Sequence, residues 1–128
     1  MSEITDPLSW VERAEEDFAM ARLALRRKTP FTYSACFHAQ QSAEKYLKAL
    51  LVAGDHDFPK VHDLLVISDE CARSGILVAV SDDLLSTLSY YAVRVRYPGE
   101  DPTPDEARQA VEIAKSVRKF ARRWMGLR

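Results

Sequence analysis

The fold turns on one stretch, Phe37-His38-Ala39-Gln40-Gln41-Ser42-Ala43-Glu44-Lys45-Tyr46-Leu47-Lys48-Ala49-Leu50-Leu51. Projected at about 100° per residue, its apolar members fall on one wide arc. With Tyr33 and Cys36 just upstream, that arc holds Phe37, Ala39, Ala43, Tyr46, Leu47, Leu50 and Leu51. His38, Gln41, Lys45 and Lys48 group on the opposite side. The spacing predicts a helix over about 31–53, closed at Gly54.

Working outward, the same period recurs in four more segments. Asp6-Pro7 reads as an N-cap followed by proline at the first helical position. Trp10, Val11, Ala14, Phe18, Ala21 and Leu25 follow at mostly three- and four-residue intervals, up to a stop at Arg26-Arg27-Lys28-Thr29-Pro30. Past the polar loop 55–60, a short helix is predicted over about 61–73, ending at Ser74-Gly75. Ser81 caps a fourth helix that runs to about Tyr97 before Pro98-Gly99. Thr103, Pro104 and Glu106 form a capping-box start for the fifth, which carries Ala107, Ala110, Val111, Ala114, Val117, Ala121 and Met125 inward. Short connections between amphipathic helices favour antiparallel neighbours, hence an all-α, up-and-down bundle of about five helices in a single domain over 1–128.

Composition agrees. Hydrophobic residues make up 47% of the 128, enough for a core without metals or cross-links, and only 4 are glycine, against a loop-rich or all-β fold. Cys36 and Cys71 form no C-x-x-C pair and read as buried thiols of a reducing compartment. The start, MSEITDPLSW, has no basic region followed by an apolar run, and no apolar stretch approaches roughly 18 residues, so the expectation is a cytoplasmic chain with no membrane contact. The formal net charge of -1 advertises no polyanion-seeking field, yet its distribution is uneven. Residues 1–21 hold six acids and one base, and residues 105–128 hold seven bases and three acids. The two ends can pair within the fold, between subunits or with another molecule.

Several polar residues fall where the helices are expected to be dry. Asp17 lies inside the apolar arc of the first helix, Gln40 and Glu44 inside that of the second, and Arg96 at the edge of the fourth. A buried carboxylate without a partner costs several kcal/mol, so Asp17 and Glu44 are expected to be hydrogen-bonded or ion-paired. Arg96 is the nearest candidate partner by position and Arg118 the second. The cluster reads either as a polar clamp that fixes helix register or as a polar pocket opening at one end of the bundle. His38, His56 and His62 supply no H-x-x-x-H or H-E-x-x-H pair, so no metal or other cofactor is expected. Phosphate loops, dinucleotide fingerprints and nucleophile elbows are absent.

The stretch 37–51 resembles the signature helix of the HEPN family, F-H-A-Q-Q-A-A-E-K-x-L-K-A-L-L, with Ser42 where alanine is usual. Trp10 through Ala21, His62-Asp63-Leu64 and Arg96-Tyr97-Pro98 resemble three further family marks in the same order. The resemblance implies a helical bundle, commonly a homodimer, from a prokaryote. It also implies a small nucleotidyltransferase as partner, in some cases as a toxin–antitoxin pair whose HEPN member is a metal-independent ribonuclease. That activity uses an Arg followed at a short interval by His. Here the nearest Arg before His38 is Arg27, eleven positions earlier, so the usual motif is not found. Nucleotide binding is a further property the resemblance implies.

Three functions follow. The first is a non-catalytic homodimer that partners a nucleotidyltransferase. The second is a ribonuclease with a non-standard site, in which Arg94 or Arg96 stabilises phosphorane charge and His38 or His62 acts as acid or base. The third is nucleotide binding, with Lys45, Lys48, Arg94 and Arg96 on the phosphates and Tyr97 stacked on a base.

Overall fold

The computed structural model describes residues 6–94 and 99–128, with the backbone alone at 92–94. Five helices appear among them: α1 (Pro7–Arg26), α2 (Thr32–Ala53), α3 (Leu64–Arg73), α4 (Asp82–Arg94) and α5 (Pro104–Trp124). No strand is present among the described residues. The end of the fourth helix near Tyr97 lies outside them, as do Arg96 and Tyr97.

Local chemistry explains the helix starts. Asp6 accepts from the amide of Leu8 ahead of Pro7, and the Oγ of Ser81 accepts from the amide of Leu84. At α5 both halves of the capping box form, Glu106 N–H to Thr103 and Thr103 N–H to Glu106. Such a cap stabilises a helix by about 1 kcal/mol. The third helix begins one turn later than the sequence suggests, because Asp63 caps it by accepting from the amide of Leu65. His62 therefore sits in the loop before α3, not in its first turn. The turn after α2 also differs. Gly54 keeps an ordinary negative φ, and Asp55 takes the left-handed conformation at φ 65°. Gly54 leaves room for the His56 ring, which a Cβ there would approach to 2.9 Å unless the ring shifted.

α2 is the central element and packs on all four other helices. α1 runs antiparallel to it, as successive contacts show: Glu15 with Tyr46, Asp17 with Lys45, and the carbonyl of Ala24 with the amide of Phe31. Thirteen of the 22 residues of α2 are buried, and Tyr46, Leu47, Leu50 and Leu51 are among the largest fully enclosed side chains. One apolar core joins all five helices, from Ala14 and Phe18 through Leu64, Ile67 and Leu88 to Val117 and Ala121. Cys36 and Cys71 are both free and buried. Burial first, then the nearby Glu70 carboxylate, pushes the Cys71 thiol up to about 12. No described helix is long and apolar enough to cross a membrane.

A polar clamp ties α1, α2 and α5 together. Arg118 reaches Glu15 through Nε at 2.6 Å and Nη2 at 3.0 Å, and the Tyr46 hydroxyl donates to the same carboxylate. Arg122 donates to the Tyr46 hydroxyl at 3.2 Å. Arg118, the second candidate partner for the buried acids, is thus committed to Glu15 instead, and part of the charge asymmetry of the chain is resolved inside the fold. Burial by itself would raise the Glu15 carboxyl. The hydrogen bonds from Arg118 and Tyr46, and the charges of Arg118 and Arg122, outweigh it and hold the group below its usual value. Tyr46 is pushed up to about 12 by burial and by its bond to Glu15.

The clamp fixes the sign of a pH dependence. Glu15 is depressed in the folded state, so its contribution is present above the unfolded value of 4.5 and is lost as pH falls further. Tyr46 is raised, so its contribution holds below 10 and is lost as pH rises toward about 12. Urea unfolding across pH should show Glu15→Gln flattening the acid limb and Tyr46→Phe the alkaline one. Ser42 yields a second expectation. Its hydroxyl is fully buried with no hydrogen-bond partner among the described residues. An unsatisfied buried polar group costs about 1–3 kcal/mol, so Ser42→Ala should raise the urea midpoint, while Leu50→Ala should cost about 2–5 kcal/mol.

Candidate functional site

The acids on the dry arcs are buried and partnered, as expected, but they form two clusters on different sides of α2. In the first, Glu44 is 4% exposed and its carboxylate meets Lys48 Nζ at 2.9 Å and His62 Nδ1 at 3.1 Å. Gln40 donates to the same carboxylate at 3.3 Å and to the backbone carbonyl of His62 at 2.8 Å. In the second, Asp17 accepts from Lys45 at 2.5 Å and lies 2.9 Å from His38 Nδ1.

Lys48 corrects the helical projection. The projection groups it with the solvated side of α2, yet it is 6% exposed, with Nζ 5.4 Å above the Phe58 ring. The loop after α2 folds back over that side, and Phe58 makes an edge contact with Trp10 at 5.2 Å. Lys45 and Lys48 are thus each committed to a carboxylate of the bundle.

A concavity opens beside the Glu44 cluster. It is a cleft of about 670 Å³ between α2, the start of α3 and α4, lined by Tyr33, Phe37, Gln40, Gln41, His62, Asp63, Leu65, Ser86, Ser89 and Tyr90. Periodicity puts Tyr33 and Phe37 on the inward arc of α2, and Leu84 on that of α4. All three are instead more than a third exposed. The chain enters α3 level with Gln40 and Glu44 of α2, so α3 does not reach back over Tyr33 and Phe37. Tyr33 and Phe37 stack on each other at 6.2 Å along one wall. Tyr90 lines the α4 side, and Arg94 falls one helical turn beyond it.

The cleft's polar groups are held from behind. Gln41 donates to the Gln40 carbonyl at 2.8 Å, and the Ser89 hydroxyl accepts from the Leu64 amide at 3.2 Å. With the Nδ1 edge of His62 turned to Glu44, the other ring nitrogen points away from that carboxylate. His38 is not part of this site. It lines a separate groove of about 390 Å³ with Met20, Leu23, Ala24, Arg27, Phe31 and Ser34. The two candidate histidines are therefore not brought into one centre within the chain. Among the described residues, no three His, Cys, Asp or Glu side chains gather as a metal ion would require.

Sequence reasoning missed Tyr33, Phe37 and Tyr90 as cleft walls, and Glu15, Tyr46 and Arg122 as a clamp. The first group carries no signal that separates it from core aromatics. The clamp had one, the acidic start set against the basic end.

Comparison with known proteins places this architecture. The structure is similar to that of TT1696 from Thermus thermophilus, with a TM-score of 0.74 and 26% identity over 94% of this chain and 98% of that one. It shares its fold with ST0689, an archaeal HEPN homologue, at a TM-score of 0.69 and 21% identity over 98% and 99% of the two chains. No curated protein sequence matches it. The family model of the HEPN domain matches residues 8–124, from the second residue of α1 to the last residue of α5, and the chain belongs to the HEPN domain family.

Proposed function

We propose that this chain is a non-catalytic HEPN protein that forms a homodimer, holds a nucleotide by its base in the α2–α3–α4 cleft, and partners a small nucleotidyltransferase in a toxin–antitoxin-like pair. The observation that carries the nucleotide reading is the stacked Tyr33–Phe37 pair facing Tyr90 across a cleft of about 670 Å³. Small-molecule sites occupy about 300–1,000 Å³, with mostly apolar walls and a few placed polar groups. Aromatic faces stack on any base at about 1–3 kcal/mol each. Gln40, Gln41, Ser86 and Ser89 offer the donors and acceptors that a base edge requires. Lys45 and Lys48 have carboxylate partners, so the phosphates fall to Arg94 and Arg96, with Tyr97 next in sequence. The nucleotidyltransferase partnership rests on membership in the family and on the resemblance of the signature helix.

One observation favours a second reading, a ribonuclease with a non-standard site. His62 lines the same cleft with Glu44 behind its Nδ1, an arrangement that orients an imidazole for acid–base work. Arg94 or Arg96 would then stabilise the phosphorane.

Thermal unfolding with ATP, GTP and CTP tests the first reading. At ten times Kd a nucleotide should stabilise the fold by about 1.4 kcal/mol, and Tyr33→Ala or Phe37→Ala should abolish the shift. No shift with any of the three sinks the nucleotide reading. Affinity purification from the native host should bring down a small nucleotidyltransferase, and its absence would sink the partnership. Incubation with RNA decides the second reading: cleavage lost in His62→Ala supports it, and intact RNA rejects it.

A further inference from the structure

The basic end of the chain is only partly used by the fold. Glu15 takes Arg118 and approaches Arg122 at 3.7 Å. Arg26, Lys115, Lys119 and Arg123 have no hydrogen bond or ion pair among the described residues. These four lie on one face, formed by the second half of α1 and the second half of α5.

Two adjoining concavities shape that face. One, of about 500 Å³, is lined by Lys115, Arg118, Lys119, Arg122, Arg123 and Arg128, with Gly126 and Leu127 as its remaining walls. The other, of about 280 Å³, lies between α1 and α5, shares Lys115 and Arg118, and adds Arg22 and Arg26. Together they present eight cationic side chains and a single lining side-chain carboxylate, Glu112. Two of the cations are fixed in advance. Arg118 is held by Glu15 over the Phe18 ring at 5.1 Å, and Arg122 donates to the Arg128 carbonyl at 2.6 Å and to the Tyr46 hydroxyl.

Along α5 the stretch from Glu112 to Arg123 covers about 16 Å of helix axis. Lys115, Arg118, Lys119, Arg122 and Arg123 lie along it, so on the order of four to five phosphates can be neutralised. The surface lacks what the other anionic partners require. A protein interface needs exposed apolar or aromatic anchors at its centre; here the non-cationic walls of the larger concavity are Gly126 and Leu127, and Phe18 and Val111 in the smaller one are buried in the core. A lipid surface calls for a flat basic patch or an amphipathic helix with a free apolar face, and this face is concave and belongs to two packed helices. The cations line grooves rather than a broad flat face, and a positively charged groove that tracks the backbone is the form that single-strand sites take.

We propose that the α1–α5 face is a binding track for the phosphodiester backbone of single-stranded nucleic acid, separate from the aromatic cleft. Binding there is read by charge, without base preference, and is strongly salt-dependent. The proposal does not depend on the nucleotide reading of the cleft.

Fluorescence anisotropy of the full chain with a labelled twelve-residue oligouridylate or oligothymidylate, from 50 to 200 mM salt, tests it. The expected result is binding whose logarithm falls with log salt at a slope of about −3, the value for four to five neutralised phosphates on a single strand. The triple variant Lys115→Glu, Lys119→Glu, Arg123→Glu should bind more than tenfold more weakly. A milder triple, with glutamine at the same three positions, should also weaken binding and reduce the slope, and it serves where the charge reversal disturbs folding. Both are checked by circular dichroism and melting. The thermal shift with mononucleotides is read separately from strand binding and its salt slope, so failure of the cleft reading and failure of the track are told apart. The proposal is overturned by no binding at 50 mM salt, by unchanged affinity in the glutamine triple, or by polyglutamate or duplex binding as tightly as the single strand.

Discussion

Glu44 carries a carboxylate into the bundle, and much of the surrounding architecture is what that placement requires. An uncompensated charge at this depth costs several kcal/mol, so each acceptor position has to be met by a donor. Lys48 comes from the next turn of α2 and is buried with it, while Gln40 comes from the turn before. The remaining donor, the His62 ring, belongs to another segment. That contact, with the bond from Gln40 to the His62 carbonyl, pins the chain just ahead of Asp63. Asp63 is the N-cap of α3, so the position of a helix is set by a carboxylate on its neighbour. The interaction is better understood as fixing register than as adding net stability, since a buried ion pair gains little over an apolar pair of the same shape.

The cleft follows from the same anchor. Where α3 begins decides how much of α2 it covers, and a start at Leu64 leaves Tyr33 and Phe37 on an open wall. Two large aromatic side chains, each over a third exposed and stacked on one another, cost solvation that a protein gains nothing from unless something covers them. The polar groups around them are ordered by hydrogen bonds to other parts of the fold, which lowers the entropy a ligand has to remove. An aromatic slot with held amides and hydroxyls fits the proposed recognition role better than a catalytic one.

How far the sequence reached depended on whether a feature is local. Caps and periods are local, so Asp6, Ser81 and the Thr103–Glu106 box are where the sequence puts them. The helix count and the burial of Asp17 and Glu44 follow from periodicity. Lys48 escapes the projection because one helix viewed alone says nothing about a loop that folds back over it, and the lid is Phe58, ten residues downstream and outside any helix. Tyr33 and Phe37 escape it for the converse reason, an apolar arc that runs back beyond the start of α3. Position along the chain points to partners for Asp17 on the fourth and fifth helices, whereas it has two on α2, His38 and Lys45, seven residues apart. The Glu15–Arg118 pair spans 103 positions, and only the uneven charge of the two chain ends hinted at it.

The two surfaces are chemically complementary and physically separate. The cleft is walled by aromatic rings, amides and hydroxyls of α2, α3 and α4, and the basic face is built from α1 and α5. Between them runs α2, with more than half of its residues buried and a fully enclosed Tyr46 that touches the clamp on the α1–α5 side. Coupling two sites through a packed core needs an element with two arrangements to choose between, and α2 is fixed on one side by the Glu15–Tyr46–Arg118 clamp and on the other by Glu44 with His62. Substitutions on the two faces share no partner, so their effects should add. A chain of near-zero net charge can still keep a strongly basic surface when its charges are unevenly placed: Glu15 meets Arg118 in a part-buried clamp, Asp17 and Glu44 are taken up by Lys45 and Lys48, and Lys115, Lys119 and Arg123 of α5 are left facing outward.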